Sequence, residues 1–98
     1  MLNCLDNIKT EILKEIEELA AVFHSPKEVA LMLEIEEAKM QEWMEAQDNE
    51  VYRSFQKGRL QSEFELRKSI VRLAKSGSSP AQAMALDMLK QSKLKMID

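Results

Sequence analysis

Apolar residues recur along this chain at helical rather than alternating intervals. Leu5, Ile8, Ile12, Ile16, Leu19 and Phe23 fall three and four apart, which is one stripe of an amphipathic helix over about residues 4–22. Leu13 and Ala20 widen the stripe, and Glu11, Lys14, Glu15, Glu17 and Glu18 hold the opposite face. Glu11 and Glu15 are like-charged at a spacing of four, so this helix leans on packing rather than on its own surface. His24 follows, and then Ser25-Pro26-Lys27-Glu28 predicts a fresh start: a capping hydroxyl, a proline at the first helical position and a carboxylate at N3.

From Glu28 the apolar positions are Val29, Met32 and Leu33, then Ile35 in a turn, then Met40, Trp43 and Met44. The set Ala30, Ile35, Met40 and Trp43 resembles a helix-turn-helix unit. In that motif a small residue lets the second helix cross closely over the first, and apolar residues in the turn and beyond lock the angle. The motif usually has glycine in the turn and Ser, Thr or Asp opening the second helix; this chain has Glu34 and Glu36. Glu37, Lys39, Gln41, Glu42 and Glu45 are the outward positions of that helix. Lys39 and Gln41 are the types that contact phosphates and base edges, whereas three carboxylates repel a duplex.

Gln47-Asp48-Asn49 interrupts the periodicity, and Asp48 or Asn49 is placed to cap a long helix from Glu50 to Ser76, roughly 40 Å at 1.5 Å per residue. Tyr52, Phe55, Leu66, Ile70 and Leu73 lie on one side of it, and Leu60, Phe64, Val71 and Ala74 on another. Two stripes predict two neighbours. Gly58, mid-helix, marks a bend, a close contact or a break. Gly77 suits a left-handed stop, and Ser79-Pro80-Ala81-Gln82 opens a last helix to about Leu94, with Ser79 as cap, Pro80 at N1 and Gln82 closing a capping box. So short a connection forces antiparallel neighbours. Ala81, Ala85, Met84 and Met88 share one face of that last helix.

The expected fold is all-α and a single domain: an N-terminal helix and helix-turn-helix-like unit over 1–47, then an oligomerising helical hairpin over 48–98. Composition agrees, because two Gly and two Pro in 98 residues leave little room for β-turns. No apolar run is long enough to span a membrane and the N-terminus lacks a signal-peptide pattern, so a cytoplasmic location without membrane contact is expected. Cys4 is the only cysteine, expected to be a buried or half-buried thiol; it excludes an internal disulfide or a cysteine zinc site. One histidine, no glycine-rich phosphate cradle and no HExxH spacing leave no catalytic set, no metal site and no cofactor to expect.

The net charge of −3 conceals a division. Residues 1–49 hold four Lys/Arg against twelve Asp/Glu, a net of −8, and residues 50–98 hold ten against five, a net of +5. Such a chain can pair head to tail with copies of itself, or offer its basic half to a polyanion. The candidate DNA-binding residues are Lys39, Gln41, Arg53, Lys57, Arg59, Arg67 and Arg72. The candidate oligomerisation residues are Tyr52, Phe55, Phe64, Leu66, Ile70, Leu73, Met84 and Met88.

Residues from about Phe23 to Met88 resemble the small terminase subunits of tailed phages and prophages. The carrying features are the Ala30/Ile35/Met40/Trp43 spacing, Asp48 and the stretch Tyr52 to Gly58, and LRKSIVRLAKSGSSPAQAMALDML. The resemblance implies a non-enzymatic DNA-packaging component in the bacterial host cell. It would form rings through a helical hairpin, recognise double-stranded viral DNA and serve a large terminase subunit. In that reading Glu28 to Ala46 is the recognition unit and Tyr52 to Lys93 the ring-forming hairpin. Two other readings stay open: a helical self-association module without nucleic acid, and a small helix-turn-helix regulator that binds a short palindrome as a dimer.

Overall fold

The computed structural model describes the backbone of residues 4–97 and the side chains of residues 9–96. The fold is all-α: five helices, with no strand among the described residues. They are α1 (Cys4–Ala21), α2 (Pro26–Met32), α3 (Glu37–Ala46), α4 (Glu50–Lys75) and α5 (Ser79–Ile97). The side chains of Cys4, Leu5 and Ile8 lie outside the described residues. The chain divides into two compact units, Met1–Ser62 and Glu63–Asp98, with the division falling inside α4.

The first unit has a defined core. Ile16, Ala20, Val29, Ala30, Met40 and Phe55 are buried together, and Ile12, Leu19, Leu33, Ile35, Trp43, Met44 and Val51 pack against them. Ala30, Ile35, Met40 and Trp43, singled out by their spacing, therefore all lie in or against one core. Gly58 belongs to the same packing. A Cβ there would stand 2.0 Å from the carbonyl oxygen of Glu17, so α1 and α4 cross backbone to backbone at this point. Of the three roles open to Gly58, close contact is the one observed, and α4 runs through it unbroken.

The helix ends explain why the short elements stop where they do. Ser25 and Glu28 form a reciprocal capping box: the Glu28 amide donates to Ser25 Oγ (3.2 Å) and the Ser25 amide to Glu28 Oε1 (2.9 Å), with Pro26 just inside. At the other ends the chain repeatedly turns through left-handed backbone at residues that are not glycine: Phe23 (φ 69°), Glu34 (φ 57°) and Gln47 (φ 60°). At Phe23 the His24 amide reaches back to the Leu19 carbonyl (3.2 Å) and the Phe23 amide to that of Ala20 (3.0 Å). At Glu34 the Ile35 amide reaches the Ala30 carbonyl (2.8 Å). These are Schellman closures, which supply orphan carbonyls with donors, and the αL residue costs each of them on the order of 1 kcal/mol without glycine. Phe23, counted at the end of the first apolar stripe, instead stands at this stop and is 49% exposed.

Asn49 joins α3 to α4. Its Nδ2 donates to the Trp43 carbonyl (2.7 Å) at the end of α3, and its Oδ1 accepts from the Tyr52 amide (2.9 Å) at the start of α4. Of the two residues expected to cap, Asn49 is the one that does; Asp48 pairs with Arg53 (3.6 Å) instead.

The second unit is a helical hairpin. Gly77 has φ 107°, and the Ser78 amide bonds the Leu73 carbonyl (3.1 Å) while the Gly77 amide bonds that of Ala74 (3.1 Å). The left-handed glycine stop is therefore present. The cap of α5 sits one residue earlier than its sequence implies. Ser78, not Ser79, accepts from the Ala81 amide through Oγ (3.3 Å) and from the Gln82 amide through its carbonyl (2.9 Å). Pro80 is then the second helical residue. Gln82 does not close a capping box; its Nε2 reaches across the hairpin to the Ala74 carbonyl (3.1 Å). Ser78 wins because it lies directly after the left-handed glycine, where its oxygen faces the first free amides of α5.

Candidate functional site

The outward side of α3 carries Glu37, Lys39, Gln41, Glu42 and Glu45, all exposed. Its two candidate DNA contacts are already occupied on their own helix. Lys39 Nζ lies 4.0 Å from Glu42 and 5.6 Å from the Trp43 ring centroid, and Gln41 Nε2 donates to Glu45 Oε1 (3.1 Å). Glu37 attracts Lys27 (3.9 Å). Phosphate binding here would have to break or outbid these contacts and face three carboxylates.

The cations in the first part of α4 brace the unit that contains them. Arg53 pairs with Asp48, and Lys57 lies 3.7 Å from Glu17 of α1. Arg59 is half-buried. Its guanidinium donates to the His24 carbonyl (3.1 Å) just past the end of α1 and covers the Phe55 ring at 4.8 Å. A cation at a helix C-terminus meets the negative end of the helix dipole, so this contact is structural. Sequence spacing could not have revealed it, because His24 and Arg59 are 35 residues apart.

In the hairpin unit the charges stand differently. Arg67, Lys68, Arg72 and Lys75 surround a shallow groove of about 460 Å³ floored by Phe64 and Val71. Lys68 lies 3.9 Å from Glu65 and 5.0 Å from the Phe64 ring centroid. Among the described residues, Arg67, Arg72 and Lys75 have no carboxylate within ion-pair distance.

No protein-family model, curated protein or solved structure matches this chain.

The candidate oligomerisation residues divide by where they lie. Phe55 is 1% exposed in the core of the first unit and offers no surface to a second copy. Tyr52 is half-buried, with its hydroxyl accepting from Gln56 Nε2 (3.0 Å). Phe64, Leu66, Leu73 and Met84 are each more than half exposed, and Ile70 and Met88 are half-buried. Leu60, Leu86, Leu89, Leu94 and Met96, which were not among the candidates, are more than half exposed as well. Ala81 is the one buried residue among the described residues of the hairpin unit.

Two carboxylates are tuned by their neighbours. The Ser25 amide and then His24 hold Glu28 below its ordinary value of 4.5, and Lys9, 2.7 Å away, does the same for Glu50. Both are exposed and stand in the first turns of α2 and α4. No group of three or more His, Cys, Asp or Glu among the described residues could hold a metal ion, and no described helix is long and apolar enough to cross a membrane.

Proposed function

We propose that this chain is a non-catalytic DNA-packaging protein of the small-terminase type. It assembles into an oligomeric ring through the α4–α5 hairpin, engages double-stranded viral DNA in the cytoplasm of the bacterial host, and serves a large terminase subunit. The observation that carries this reading is the hairpin unit beyond Ser62, where Ala81 is the one buried residue among the described residues and many large apolar side chains are open to water. Large apolar side chains left open on both sides of α4 and on α5 are surface of the kind that a partner covers. The α2–α3 pair supports the recognition half, since Ala30, Ile35, Met40 and Trp43 hold the two helices against a common core as a helix-turn-helix unit requires.

For DNA, the free Arg67 and Arg72 are better placed than Lys39, Gln41, Arg53 and Lys57, whose polar groups already have partners, and than the half-buried Arg59, which is held on the His24 carbonyl. Phosphate contacts would then give affinity from α4, with α3 contributing little sequence reading. The acidic outer side of α3 favours a second reading, a helical self-association module that takes no nucleic acid. The dimeric regulator gains no such support.

Light scattering combined with a duplex-DNA shift assay at ~50 mM and ~200 mM salt tests this. The expected result is an oligomer that retains DNA at the lower salt and loses it at the higher. Arg67→Glu with Arg72→Glu should abolish that retention. An oligomer indifferent to DNA at both salts would favour the self-association module, and a monomer indifferent to DNA would refute both readings.

A further inference from the structure

The free groove on α4 has a counterpart on α1. Along the groove Phe64, Lys68, Val71 and Lys75 are spaced four, three and four residues apart, a single seam on one side of the helix. Read backwards from Val22, the residue just past the end of α1, Val22, Glu18, Glu15 and Glu11 are spaced four, three and four as well. Val22 is 64% exposed, and Glu11, Glu15 and Glu18 are exposed with no cation among the described residues within ion-pair distance. This seam lies apart from the side of α1 that carries Ile16 and Ala20 into the core.

We propose that α1 of a second copy of this chain docks antiparallel along the α4 groove. The proposal rests on the self-assembly reading above and names the surfaces that carry it. Val22 then meets Phe64 at one end, Glu18 meets Lys68, and Glu11 meets Lys75 at the other. Glu15 falls opposite Val71, with the Arg72 guanidinium beside it. Both seams run over twelve residues, eleven steps or roughly 16 Å at 1.5 Å per residue, so the pairs stay in step along the whole length.

The occupant follows from charge. Two α4 grooves placed face to face would bring eight cations together, whereas α1 brings three carboxylates and an apolar end. The apolar floor excludes bare phosphates as the best fit, since Phe64 and Val71 gain nothing from a polyanion but are covered by Val22 and the glutamate methylenes. The contact uses different patches on the two copies, so successive copies chain together until they close. Arg67 and Arg72 border the docked helix instead of lying beneath it, which leaves guanidinium edges for DNA.

Charge reversal tests the contact in the full-length protein. One variant carries Glu11→Lys and Glu18→Lys, and a second carries Lys68→Glu and Lys75→Glu; all four positions are exposed, and circular dichroism checks that both variants remain helical. Assembly is read by light scattering over a dilution series. Each variant alone should need a concentration at least roughly tenfold above wild type to assemble, because like charges then oppose along the seam. An equimolar mixture should recover assembly near the wild-type concentration, since each variant's altered helix meets the other's. Wild-type assembly matched by both separate variants would overturn this contact and leave the self-assembly reading standing. Weakened variants that the mixture does not rescue would likewise overturn the pairing, and a wild-type monomer at every concentration would remove both.

Discussion

Gly58→Ala is the most demanding perturbation of the first unit. The added methyl would lie 2.0 Å from the Glu17 carbonyl oxygen and 2.8 Å from its carbon, where ordinary contact begins at 3.4 Å. The obstacle is the backbone of α1, which cannot swing aside as a side chain does. The two helices must therefore separate by about 1.4 Å, or tilt until the methyl clears. A radial gap of 0.5–1 Å already forfeits roughly a quarter to a half of the attraction between packed atoms. Ile16, Ala20 and Phe55 are the buried side chains that α1 and α4 contribute to the core. With ~1.5–3 kcal/mol for each large buried side chain, partial loss at two of them costs about 2–4 kcal/mol. Alanine's better helix propensity offsets about 1 kcal/mol of this. The net expectation is a destabilisation of ~1–3 kcal/mol, a fall in Tm of roughly 5–20 °C for a domain of this size. Thermal unfolding followed by circular dichroism at 222 nm measures it. A Tm equal to wild type, or higher, would mean that α1 and α4 do not touch at this turn.

The other glycine fails for a different reason. Nothing lies within 4 Å of a Cβ at Gly77, but its φ of 107° is hostile to any L side chain, so Gly77→Val should destabilise by more than ~1 kcal/mol with no steric clash to relieve. An unchanged denaturation midpoint would refute the left-handed stop. Glu34→Gly should do the reverse, stabilising by ~0.5–1 kcal/mol in urea unfolding, because Glu34 holds φ 57° without glycine's freedom. Acid should weaken the capping box. The Glu28 carboxylate is held below 4.5, so its contribution is present above that value and fades as pH falls through the lower native value; Glu28→Gln should flatten this part of the stability–pH profile.

Helix positions were legible because the apolar spacing is regular and because Ser-Pro pairs stand near the starts of α2 and α5. The capping box at Ser25 and the stop at Gly77 could be read residue by residue. The left-handed conformation at Phe23, Glu34 and Gln47 could not, since no glycine marks it at any of the three. At Ser78-Ser79 two adjacent hydroxyls both suit a cap, and a one-residue choice depends on where Gly77 points the chain. A stripe shows which side of a helix is apolar but not what covers it. Phe55 and Phe64 belong to the same long helix and look alike in sequence, yet one is sealed in a core and the other faces water. The roles of Lys57 and Arg59 were hidden for the same reason, since their partners, Glu17 and His24, come from a distant stretch of chain.

The sparse burial in the hairpin bears on how long a lone molecule lasts. Among the described residues Ala81 alone is buried there, so unwinding α5 exposes little that water does not already reach, and local opening of such an element is inexpensive. Peptide bonds after Lys90, Lys93 and Lys95 are then the first that trypsin meets, well before any bond in the α1–α3 core. If copies associate as proposed, surplus molecules without neighbours would be trimmed from this end, and the supply of intact chains would track the number that find one another.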